Sequence, residues 1–172
     1  MSTAFPHRSR PRRPRGLCAA IAALATLLPG PLFAATCEVT ATPFAFGAYD
    51  TVNQLDVSSN TITVTCRRRP DPPGSVLAWT VALSPGSGTY SARQMSSGAA
   101  VLRYNLYTTA ARTVVWGNAT PGTGVVAGSV TFGPGNNPHT VVHAVHGRIP
   151  GDQNVAPGAY TTAVPITITV VY

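Results

Sequence analysis

The chain has 172 residues, with 12 basic residues against 5 acids and a formal charge of +7. Five of the basic residues, Arg8, Arg10, Arg12, Arg13 and Arg15, crowd the N-terminus; beyond residue 35, seven arginines face five acids and the excess is only +2. That balance, without a basic helix or a basic-aromatic array, excludes nucleic-acid binding, and the length suits one domain that buries about two-thirds of its unfolded surface.

Residues 1–16 are basic and carry no acid, and residues 17–28 form an apolar run. Pro29, Gly30 and Pro31 break that run, and the small residues Ala34 and Ala35 follow. Basic, apolar, breaker, small is the order of a secretory signal peptide, here residues 1–35, with cleavage expected near Ala34 or Ala35. Arg12-Arg13 also fits a twin-arginine signal, although the surrounding prolines argue for ordinary export. The run falls short of the roughly 20 residues of a transmembrane helix. A domain of residues 36–172 without a membrane span is therefore expected in the periplasm, and then at the cell surface or outside the cell.

Cys18 leaves with the leader. Cys37 and Cys66 remain, and two cysteines in an exported chain most simply form one disulfide. It would close a loop of 30 residues, which loop-closure entropy makes worth about 3–4 kcal/mol. A lipid anchor at Cys37 is the alternative. Ala34-Ala35-Thr36 lacks the leucine and small residue usual before a lipid-attached cysteine.

In chain order, residues 38–42 read as a short strand stopped by Pro43. Residues 44–49 follow, with Phe44 and Phe46 on one side and Tyr49 on the other. Residues 50–60 are polar and read as turn. Residues 61–66 alternate, with Ile62, Val64 and Cys66 on one face. If that face is the core, the disulfide lies inside. The prolines of residues 67–74 make a loop. Its arginines Arg67, Arg68 and Arg69 read as a solvated loop, and they are the candidates for docking an anionic surface.

Residues 76–84 are a strand with Leu77, Trp79, Val81 and Leu83 on one side, and residues 85–88 are a turn. Residues 89–100 are small and polar. Residues 101–107 and 113–116 are strands. Residues 117–137 are rich in glycine and proline, with one β-like piece at 125–132. Residues 139–149 form a long strand.

The chain ends on a last alternation. Val164, Ile166, Ile168, Val170 and Tyr172 share one face, and Pro165, Thr167, Thr169 and Val171 the other. This is a half-buried strand, which either completes a sheet or is offered to another chain. No helical period appears beyond the leader. Many short strands between Gly/Pro turns mean a single all-β sandwich or barrel.

Little here suggests catalysis. The acids are scattered and no Gly-x-Ser-x-Gly elbow occurs. His139 and His143 share a strand face and His146 points to the other. With no nearby cysteine or acid they read as surface or network histidines rather than metal ligands. No enzyme activity and no cofactor are expected.

One resemblance covers essentially the whole exported chain. Cys37 with Phe46-Gly47-Ala48-Tyr49, then Ile62-Thr63-Val64-Thr65-Cys66, resembles the start of the spore coat protein U domain family. The likeness continues through Arg93-Gln94-Met95, Leu102-Arg103-Tyr104-Asn105-Leu106-Tyr107 and Trp116-Gly117. It closes on His146-Gly147-Arg148-Ile149-Pro150, Gly158-Ala159-Tyr160 and the alternating terminus.

The resemblance implies an immunoglobulin-like β-sandwich of secreted bacterial proteins, either spore-coat components or subunits of archaic chaperone–usher pili. In such pili a subunit lacks its last strand. A periplasmic chaperone fills the gap, and at the outer-membrane usher another subunit's N-terminal extension replaces it. On this analogy Val164, Ile166, Ile168, Val170 and Tyr172 would belong to the strand-accepting wall. Thr162 stands where the family commonly has Asp. Cleavage near Ala35 would leave hardly any residues before Cys37, against roughly 5–10 for a donor strand. The expectation is thus a strand-accepting terminal or minor subunit of a surface fibre, or a coat component. The alternative is a self-contained secreted binding or adhesion domain that uses residues 117–137 and the arginine loop.

Overall fold

Alternating apolar and polar residues draw the chain into extended segments, and their apolar sides meet between two sheets. The computed structural model describes residues 35–67, 74–135 and 137–172, all within the unit Phe33–Tyr172. Among the described residues are ten strands: β1 (Thr36–Ala41), β2 (Leu55–Arg67), β3 (Val76–Leu83), β4 (Arg93–Ser97), β5 (Ala100–Tyr107), β6 (Val115–Trp116), β7 (Thr123–Gly124), β8 (Val126–Thr131), β9 (His139–Ile149) and β10 (Ile168–Val171). No helix occurs among these residues, and so none is long and apolar enough to cross a membrane.

The larger sheet has seven strands in the order β1-β2-β9-β5-β6-β7, with β4 added on β5. The smaller has three, in the order β10-β3-β8. Pairing is antiparallel except between β6 and β7. The result is the expected all-β sandwich. Ile62, Val64 and Cys66 of β2 face Trp79, Val81 and Leu83 of β3 across a core completed by β5, β8 and β9. Cys37 and Cys66 sit directly opposite each other in the β1–β2 ladder and form the expected disulfide, with the Cys66 side chain fully buried.

Trp116 is the largest fully buried side chain. Its indole N–H donates to the Val81 carbonyl at 2.8 Å. That bond joins the two sheets and satisfies a donor that burial would otherwise leave costly.

Several segments differ from expectation. Strand β2 begins at Leu55, inside the stretch read as turn. Leu55 and Val57 continue the alternation and pair with Ile149 and Gly147, and a bulge between Val57 and Asn60 absorbs two serines. Only residues 50–54 turn. There the Asp50 carboxylate accepts from the amides of Val52 and Asn53 and from the Asn53 side chain.

The polar stretch 89–100 holds a strand, β4, which forms a hairpin with β5. Ser97 pairs with Ala100, and Gly98 takes the positive φ that the tight turn needs. Residues 44–49 join no ladder. Phe44 and Phe46 instead lie edge to face, 4.8 Å apart, over Gly147, where any side chain would overlap their rings. Finally, the terminal ladder starts at Ile168 rather than Val164.

Candidate strand-acceptor groove

The smaller sheet ends at β10, which pairs with β3 and, among the described residues, with no other strand. The ladder geometry tells which main-chain groups are free. Thr167 and Ser84 face each other: the Ser84 amide donates to the Thr167 carbonyl at 2.9 Å, and the Thr167 amide donates to the Ser84 hydroxyl at 2.8 Å. Antiparallel bonding alternates along a strand. Thr169 and Val171 therefore turn their amides and carbonyls toward β3, and Ile168 and Val170 turn theirs toward the open side. The open edge is a main-chain template, a feature that folded proteins usually hide.

Beside this edge lies a cavity of about 260 Å³. Pro165, Ile166 and Ile168 form one wall, and Ala41 and Thr42 from the end of β1 form part of the other. Its floor is core: Ile62, Leu83, Leu106 and Val145. Among the described residues no charged side chain lines it. A second cavity of about 700 Å³ shares Phe44 and Met95 with the first. It runs between residues 44–51 and 155–160, and Asp50 is its one charged lining residue. The two together follow the gap between the N-terminal and C-terminal segments. Such a lining can take apolar side chains, and it offers no paired acid and base and no nucleophile held by a base.

The residues singled out at the C-terminus divide. Ile166 and Ile168 line the first cavity, together with Thr162. Val170 is half-buried against the core. Val164 turns outward and is 55% exposed, and its amide donates to the Ser87 hydroxyl at 2.9 Å. Tyr172 lies past the strand end and is 53% exposed. The Ser84 hydroxyl thus holds the Thr167 amide where a regular ladder would use the Ser84 carbonyl, and the Ser87 hydroxyl holds the Val164 amide before the ladder begins.

The disulfide braces the opposite wall, because it fixes β1 to β2. Arg67 is exposed at the end of β2; Arg68 and Arg69 lie outside the described residues.

The feature least visible beforehand is Arg93. Its side chain is fully buried at the start of β4. One guanidinium nitrogen donates to Asn105 Oδ1 at 2.6 Å. A second donates to the carbonyls of Ser84 at 3.0 Å and Trp116 at 2.7 Å, and the third, Nε, is buried without a hydrogen-bond partner. No acid neutralises it in any ion pair among the described residues. Burial lowers its pKa, and the Tyr90 ring lies 5.5 Å from its guanidinium carbon. Asn105 carries the network on, since its amide donates to the Tyr90 carbonyl at 2.7 Å. One clue was available: Arg93 and Asn105 fall in two of the motifs that carried the resemblance.

Away from the groove, Asp56 takes both guanidinium bonds of Arg148, at 2.8 and 2.9 Å. The Arg148 bonds hold its carboxyl below the ordinary range, with help from the charge of Arg112. The histidines keep the facing expected of them. His139 meets the Phe132 ring edge to face. His143 points inward, where its Nε2 is buried without a hydrogen-bond partner and burial lowers its pKa. His146 lies on the other face, 2.8 Å from the Ser58 hydroxyl, and its pKa is lowered by burial and then by Arg112. Among the described residues no group of three potential metal ligands comes together.

Compared with known proteins, the chain matches the Spore Coat Protein U domain over residues 23–167. No curated protein matches it.

Proposed function

The chain belongs to the Spore Coat Protein U domain family, and we propose that it is an exported, non-catalytic structural protein that accepts a β-strand from another polypeptide. The observation that carries this reading is the edge of β10, unpaired among the described residues and beside an apolar cavity floored by the core. An inserted strand would bond to the main chain of Ile168 and Val170 and place alternate apolar side chains in the cavity. A periplasmic chaperone would supply that strand first, and at an outer-membrane usher another fibre subunit would supply it next. Cleavage of the leader near Ala35 would leave too short a segment before Cys37 to act as a donor in turn. The chain then fits a terminal or minor position in a surface fibre, or a coat.

The test is thermal unfolding of the exported protein with and without a synthetic donor. A suitable donor is a lysine-flanked peptide of about ten residues, alternating valine and threonine, the length of one strand. Peptide at a hundredfold excess over its Kd should stabilise the protein by about 2.7 kcal/mol. Ile168→Arg should abolish the gain. Unfolding that is indifferent to saturating peptide would refute strand acceptance.

A further inference from the structure

Arg93 and the acceptor wall are connected by one residue. In a regular antiparallel pair the Ser84 carbonyl would accept the Thr167 amide. Here the Arg93 guanidinium holds that carbonyl at 3.0 Å, and the Ser84 hydroxyl takes its place in the ladder at 2.8 Å from the Thr167 amide. The substitution is local, because the return bond from the Ser84 amide to the Thr167 carbonyl keeps its 2.9 Å length. Before the ladder begins, the Ser87 hydroxyl also accepts a main-chain amide, that of Val164. Between the two serines, Gly86 lies so close to Ile166 that an added Cβ would meet the Ile166 side chain at 3.0 Å and the Val164 carbonyl at 3.1 Å. The turn that bears Ser84, Gly86 and Ser87 therefore sets where Ile166 stands, and Ile166 lines the cavity.

A fully buried arginine without a carboxylate partner is an expensive way to hold a carbonyl, because its desolvation is repaid only by neutral acceptors. Its contacts gather three separate places: Ser84 after β3, Asn105 in β5 and Trp116 in β6. From this geometry we propose that Arg93, acting through Ser84, is a positioning residue for the acceptor wall. It takes the Ser84 carbonyl out of the ladder and so fixes the entry to β10, and with it Ile166, at the spacing an incoming strand meets. The proposal rests on the strand-accepting reading of the groove.

The distinctive consequence is that Ser84 and Arg93 are not independent. The hydroxyl of Ser84 is needed only because Arg93 occupies the carbonyl. Affinity of the exported protein for the valine–threonine peptide, measured by calorimetry, should fall about fivefold in Ser84→Ala, the effect of one neutral hydrogen bond. Ser84→Thr keeps the hydroxyl and should restore it. In Arg93→Met the carbonyl returns to the ladder, so adding Ser84→Ala should change affinity little further. Strict additivity in this double-mutant cycle would overturn the proposal.

Hydrogen exchange provides a second measurement that needs no donor and survives failure of Arg93→Met to fold. Ser84→Ala should speed exchange at the Thr167 amide, and Ser84→Thr should leave it slow. Equal exchange in all three proteins would also overturn the proposal. If the unsubstituted protein binds no peptide while the Thr167 amide responds as described, strand acceptance fails and the positioning of β10 by Ser84 stands.

Discussion

Strands β9 and β10 carry the same signature and meet different fates. Both alternate inward and outward residues at period two. Strand β9 lies between β2 and β5: β2 bonds it along its length, and β5 bonds its other edge at residues 146–148. Strand β10 has β3 on one side and a cavity on the other. Alternation reports that a segment is extended and which face is apolar. It does not report how many neighbours the segment has, because neighbours are set by the order of strands in the sheet.

That difference gives the largest expected effect. Val145 of β9 is 4% exposed and pairs with Asn60 of β2. Val145→Asp should destabilise the protein by about 4 kcal/mol or more, through an unpaired buried charge. Ile168 is half-buried at the open edge. Ile168→Asp should cost about 1 kcal/mol, since its charge can reach water. Urea unfolding of the two variants measures both. Equal losses would mean that β10 is as enclosed as β9.

The disulfide comes between these two. Cys37→Ala with Cys66→Ala should lower stability by about 2–4 kcal/mol and loosen the wall that faces β10. Chemical unfolding under oxidising conditions checks the size.

Much of this arrangement was legible from residue pattern alone. The inner faces of β2 and β3 follow directly from Ile62-x-Val64-x-Cys66 and Leu77-x-Trp79-x-Val81, because side chains in a strand alternate between core and water. The pairing of Cys37 with Cys66 followed from counting the cysteines left once residues 1–35 are read as a leader. Other parts could not be read this way. A stretch such as Arg93-Gln94-Met95 looks like surface, since arginine is rarely buried without a charged partner. Its burial depends on carbonyls from three distant places that only the fold assembles. The roles of Ser84 and Ser87 were hidden likewise, because serines beside proline and glycine read simply as turn residues. The start of β2 was missed because a bulge interrupts its alternation.

Within the candidate groove the division was partial. Ile166 and Ile168, on the face that alternation made inward, line the cavity. Val164 does not, because its amide is drawn to Ser87 before the ladder begins.

The smallest effect concerns His143 on the inner face of β9, whose pKa is lowered by burial. The unfolded chain takes up a proton near pH 6.5 that the folded chain refuses. Stability should therefore be full above that pH, decline as pH falls through it, and level off once the folded histidine is also protonated. His146 acts in the same direction. His143→Val should flatten part of the decline in thermal melts between neutral and mildly acidic pH. A melt whose pH dependence is unchanged by this substitution would place the effect elsewhere.

The most direct test of the open edge is residue-level hydrogen exchange in β10. In the protein alone, the amides of Ile168 and Val170 should exchange fast, while those of Thr169 and Val171, turned toward β3, exchange slowly. Saturating donor peptide should slow the first pair and leave the second pair nearly unchanged. Ile168 and Val170 amides already as slow as their neighbours before any donor is added would contradict the account.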